Sequence, residues 1–137
     1  MKKLGFTLAE ILISMAIIGI VAAITLPTLG TNARQKANIA TMKVTVSDFE
    51  NAFSAMMIAE VKEELSGVKD WSTAGKLSNY MKINGDKTKN GTEYKIDKNI
   101  LKLDVNGYSN KPNKDGIDQF ELTIDDYGMI DTSKYTN

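Results

Sequence analysis

Residues 6–29 are the strongest constraint on this chain: a mostly apolar run interrupted by one full charge, Glu10. As a helix the run would reach about 36 Å, enough to cross a hydrocarbon core of about 30 Å. Lys2 and Lys3 precede it, and no basic residue follows until Arg34. The positive-inside rule therefore places the N-terminus in the cytoplasm and the remainder outside. A carboxylate near the start of such a span costs on the order of 2.5–3.5 kcal/mol on insertion scales. Glu10 is expected to have a partner.

Two simpler readings fit less well. A secretory signal has an apolar core of about 7–15 residues and a small-residue cleavage site. Residues 11–26 already exceed that length, although Ala22-Ala23-Ile24 offers small side chains. A plain membrane anchor explains the length but has no use for Glu10, or for Gly5-Phe6-Thr7-Leu8 ahead of it.

Composition narrows the function classes. The 137 residues suffice for one small domain beyond the helix. Basic and acidic side chains balance at 17 each, and loss of Lys2 and Lys3 would tip the chain acidic. Arg34 is the sole arginine, so the basic stripe needed for nucleic acid is absent and none is expected as a partner. Without cysteine or histidine there are no disulfides, thiol chemistry, Cys/His zinc sites or histidine triads. No nucleophile elbow or phosphate loop is present either, so the chain does not read as an enzyme.

Past the apolar run, Pro27 lacks an amide hydrogen and predicts a kink or loosening, with Gly30 a second soft point. A helix is expected to resume at Asn32 and continue to about residue 66, before Gly67. Met42, Val46, Phe49, Phe53 and Met56 recur at helical spacing and predict a core-facing stripe. Met57, Val61 and Leu65 extend it, with Lys43, Asp48, Glu50, Lys62 and Glu63 opposite. A second helix is predicted over 72–82, capped by Ser72 or Thr73 and packed through Leu77, Tyr80 and Met81. Asn84-Gly85-Asp86 and Asn90-Gly91 predict turns. Alternation over 92–96, 100–105 and 120–124 predicts strands, and a turn at Asp126-Tyr127-Gly128 leads to a last one at 129–131.

The order Gly5, Phe6, Thr7, Leu8, Glu10, with Pro27 beyond, resembles the N-terminus of type IV prepilins and pseudopilins. The detailed match spans residues 4–29; the remainder matches in layout. The resemblance implies an α+β, pilin-like fold, with a long N-terminal helix packed on a small antiparallel C-terminal sheet. It implies a leader at 1–5, a transmembrane and polymerisation helix at 6–29, and an exported domain at 30–137 containing the amphipathic helix 32–66. It further implies cleavage between Gly5 and Phe6 by a prepilin peptidase and N-methylation of Phe6. Glu10 would neutralise the Phe6 ammonium of a neighbouring subunit, and Pro27 would loosen the helix. Partners would be copies of itself, other pilin-like subunits, the peptidase and an inner-membrane assembly platform. The location would be a single pass in the bacterial inner membrane, then a periplasmic or extracellular filament. Type IV pili, type II secretion pseudopili and competence pseudopili all use such subunits. The lack of a cysteine pair departs from typical major pilins and favours a pseudopilin, while Glu10 departs from the tip-type pseudopilin. The competing reading is a membrane-anchored binding or adhesion domain that never polymerises.

One stretch has the composition of a cation site. Asp104, Asn106, Asp115 and Asp118 supply oxygens in a loop bent by Gly107, Pro112 and Gly116, and calcium favours such donors. Lys111 and Lys114 oppose a cation, and Asx turns account for the same residues.

Overall fold

The computed structural model describes residues 4–107 and 113–136; residues 1–3, 108–112 (including Lys111) and 137 lie outside the described residues. The chain divides into two units, Met1–Arg34 and Gln35–Asn137. A helix, α1 (Leu8–Glu60), contributes to both. After it come a short 3-10 turn (Leu65–Gly67), α2 (Ala74–Leu77), six strands and α3 (Ser133–Thr136). The strands are β1 (Ile83–Asn84), β2 (Lys87–Thr88), β3 (Glu93–Asp97), β4 (Ile100–Asp104), β5 (Gln119–Ile124) and β6 (Ile130–Asp131). They form one antiparallel meander in sequence order. The architecture is the α+β, pilin-like one expected.

In the second unit the predicted stripe is the core. Met42, Val46, Phe49, Phe53 and Met56 are all buried. They meet Tyr94, Leu101, Leu103, Phe120, Leu122 and Ile124 from the inward face of the sheet. The register explains this face: Tyr94 pairs with Leu103, Leu103 with Phe120, and Leu101 with Leu122. The intervening residues pair Lys95 with Lys102 and Lys102 with Glu121 on the solvent side. Phe49 meets Tyr94 edge-on at 5.1 Å between centroids, and Phe53 meets Trp71 at 5.4 Å.

Several boundaries differ from the sequence expectation. Helical structure runs through Pro27 and Gly30, so the predicted break at Pro27 is not present in this structure. Proline removes one amide from the ladder, but its fixed φ is itself helical. At its far end α1 stops at Glu60 rather than 66. Position 60 follows Met56 on the core side, and Glu60 pairs there with Lys76. Leu65 still reaches the core, but from the 3-10 turn, where its amide donates to the Asp126 carbonyl at 2.7 Å. Val61, expected in the stripe, is 90% exposed. Glu50 is not simply a solvent-facing charge: its Oε1 accepts the Ile130 amide at 2.8 Å and holds the β6 edge. The helix predicted over 72–82 shortens to α2, capped by Thr73 through the Lys76 amide at 3.4 Å and anchored by buried Leu77. β1 and β2 form a hairpin around Asn84-Gly85-Asp86 that was expected only as a turn.

Gly128 is required where it stands. Its φ is 77°, and a Cβ there would lie 2.8 Å from Phe53 Cβ. The Asp125 carboxylate forms the turn around it, accepting the Tyr127 amide at 3.0 Å and the Met129 amide at 2.8 Å.

Candidate processing and assembly segment

Leu4 and Phe6 are almost fully exposed, and a Cβ on Gly5 would meet nothing within 4 Å. Among the described residues nothing packs against this stretch. Helix α1 begins two residues later, and Thr7 and Glu10 fix that start. Glu10 Oε2 accepts the Thr7 amide at 2.8 Å, and Thr7 Oγ1 accepts the Glu10 amide at 3.2 Å. This is a reciprocal capping box, which satisfies two of the four amides that a helix start leaves without partners. The Thr-x-x-Glu spacing is its sequence signal, set at the head of the longer apolar pattern. Among the described residues Glu10 forms no ion pair.

Beyond the cap, Leu8, Leu12, Ile13, Met15, Ile18 and Ile24 are exposed, each by more than half. The most apolar 18-residue window of α1 has a mean hydropathy of 2.4 and buries none of its residues, which fits a membrane span by length and composition. Hydroxyls in and just after this stretch bond back to the preceding turn. Ser14 Oγ donates to the Glu10 carbonyl at 2.8 Å, Thr25 Oγ1 to Val21 at 2.9 Å and Thr31 Oγ1 to Pro27 at 3.3 Å. Such bonds remove the cost of a hydroxyl in hydrocarbon. Pro27 is exposed.

The loop considered for calcium is a separate site. Asp104, Asn106 and Asp118 converge, but Asp115 does not join them. Asp118 is buried and accepts three N–H donors: Asn106 Nδ2 at 3.1 Å, the Asn113 amide at 2.7 Å and the Lys114 amide at 2.5 Å. Buried Asp104 accepts the Asn106 amide at 3.2 Å and Gln119 Nε2 at 2.9 Å. N–H groups pointing at carboxylates do the work a cation would otherwise do. Among the described residues no three acidic side chains converge as a metal cage. Asp115 instead pairs with Lys134 at 2.7 Å and with the Tyr135 hydroxyl. The Lys134 hydrogen bond, then that of Tyr135, holds its carboxyl below the ordinary aspartate range. The loop also grips the helix: Gln35 Nε2 donates to the Gly116 carbonyl at 3.0 Å and Asn38 Nδ2 to that of Ile117 at 2.8 Å. The described part of the loop thus acts as a clamp on α1.

Residues 1–26 match the model of the prokaryotic N-terminal methylation motif, the prepilin-type cleavage and methylation signal. The match covers Gly5, Phe6, Thr7 and Glu10. No curated protein and no solved structure matches the chain.

Proposed function

We propose that this chain, which carries a prepilin-type signal, is the precursor of a filament subunit of the type IV pilus or type II secretion pseudopilus kind. The observation that carries the reading is the Thr7–Glu10 box. It places a carboxylate one turn past the Gly5-Phe6 bond, at the head of an exposed apolar helix. Cleavage after Gly5 by a prepilin peptidase creates an amine on Phe6, which is then methylated. That amine is cationic near neutral pH and Glu10 anionic, and either charge alone in hydrocarbon is costly. A Phe6 ammonium from one subunit against Glu10 of the next offsets both as the apolar helix moves from lipid into a filament core. Oε2 is engaged by Thr7, which leaves Oε1 to accept the ammonium. The subunit sits first in the bacterial inner membrane, N-terminus inward, and passes to a periplasmic or extracellular filament with itself and similar subunits.

Intact mass and N-terminal sequencing from cells that contain a prepilin peptidase test this. The mature chain should begin at N-methyl-Phe6. Recovery of protein starting at Met1, or cut after Ala23, refutes the reading; the latter marks a secretory signal and the former a plain anchor.

A further inference from the structure

Two unfavourable features meet at Val61. Its φ of 52° is left-handed, an outlier for a β-branched residue. Lys62 N donates to the Met57 carbonyl at 2.9 Å and Val61 N to that of Ile58 at 3.2 Å. These are the paired bonds of a helix-ending turn in which this position is usually glycine. Val61 is also 90% exposed, and Ile58 beside it 78%. With Met57 they line a shallow hollow edged by Ser54, Lys62 and Glu63. Met57 also reaches the β5–β6 turn, where a Cβ on Gly128 would lie 3.6 Å from its methyl, and Tyr127 and Met129 on either side of Gly128 are exposed. Acidic side chains predominate next to it in sequence: exposed Glu63 and Glu64 follow Val61, and exposed Asp125 and Asp126 precede Tyr127, with Lys62 among them. Strain held at a surface residue points to a function there, and a contiguous apolar patch points to a partner.

The same unit carries a complementary surface. On α1, Ala37, Ala40 and Val44 are exposed at helical spacing, flanked by exposed Lys36 and Lys43. Between Glu10 and Asp48 the helix has no carboxylate at all. An acidic-rimmed apolar patch and a basic-flanked apolar face are therefore presented by different parts of one chain. Copies joined this way make a heterologous contact, which propagates rather than closing as a twofold dimer.

We propose that the Val61 patch is the docking surface for a second copy of this chain, which seats the helix face at residues 36–44 against it. The inference rests on the filament reading and names one of its contacts. The chain has no cysteine, so introduced thiols report cleanly. Full-length chain carrying both Val61→Cys and Ala40→Cys is expressed with a prepilin peptidase and an assembly machine, then treated with a short bismaleimide. A ladder of cross-linked species is expected from the double variant, and none from either single variant. Co-expressed single variants should yield dimers. Glu63→Lys should weaken the ladder, and Lys43→Glu in the same chain should restore it. Filaments without a ladder overturn this contact and leave the filament reading standing. Dimers from Val61→Cys alone, at the level of the double variant, show patch-on-patch pairing and also overturn it. Loss of both filaments and ladder, with wild-type chain assembling normally, overturns it as well. Failure of the wild-type chain to assemble overturns both readings.

Discussion

Gly128→Ala tests how closely the β5–β6 turn approaches the helix. Two costs are expected there. Adding a Cβ at a φ of 77° costs roughly 1–2 kcal/mol for the left-handed backbone. The new methyl also lies 2.8 Å from Phe53 Cβ, an atom tied to the helix backbone that cannot swing aside. Overpacking of that kind adds typically about 1–3 kcal/mol. Gly85 is the internal control: its φ is 63°, and a Cβ there meets nothing within 4 Å. Gly85→Ala should therefore cost only the backbone share, about 1–2 kcal/mol, and Gly128→Ala roughly 2–5 kcal/mol in all. Against a domain stability of about 5–15 kcal/mol the difference is easily measured. Trp71 is the one tryptophan and sits edge-on to Phe53, so its fluorescence in a denaturant titration of the full chain reports this contact. Equal losses for the two variants would mean that the turn does not press on Phe53, and would refute the packing argument.

Three further outcomes follow from the sites. Glu10→Gln keeps a capping-box side chain but removes the charge; it should insert and be processed normally yet enter filaments poorly, and wild-type filament yield would show that the cap, not the charge, is what Glu10 supplies. The Asp115 carboxyl is held below the ordinary aspartate value near 3.8, chiefly by Lys134 and then Tyr135. A depressed folded value contributes stability that is fully present above 3.8 and is lost as pH falls through the lowered folded value, so Tyr135 ring resonances should shift with a midpoint below 3.8; a midpoint at or above 3.8, or an unchanged acid limb in Asp115→Asn, contradicts the pairing. Calcium should leave the melting temperature of the full chain unchanged, because N–H donors already occupy the Asp104 and Asp118 carboxylates; a concentration-dependent rise would show a site formed with residues beyond those described.

The parts legible in the sequence are those where one physical requirement repeats. Phe49, Phe53 and their neighbours were legible because burial recurs every turn, and β4 and β5 because it recurs every second residue. Leu65 and Val61 show the limit of that logic. Both continue the spacing, but the helix ends between Glu60 and Val61, and periodicity carries no record of where a chain must turn to reach Asp126. Glu50 was misplaced for a related reason: polarity marks a side chain as able to face water, not as free to do so, and the exposed edge of β6 needed an acceptor. β1 and β2 are two residues each, too short for any alternation to register. The loop aspartates were legible as a cluster, but whether carboxylates face a cation or amides depends on backbone direction, which composition does not encode.

Glu10 shows how much one side chain at the head of a membrane helix is asked to do. A helix that starts in or near hydrocarbon leaves amides without water to satisfy them, each at a cost of several kcal/mol. The carboxylate meets part of that demand through Thr7 and does so before any neighbour arrives. On the filament reading the same bond also prepares the later step. A free glutamate loses about 1.5–2 kcal/mol of rotamer entropy when it is fixed. In this chain much of that loss has already been taken by the capping box, so an incoming Phe6 ammonium meets a carboxylate held at one place on the helix. The two roles do not compete, because they use different oxygens. An uncharged cap would hold the helix start with nothing to offer the amine. Both demands together call for an acidic side chain three residues after the threonine.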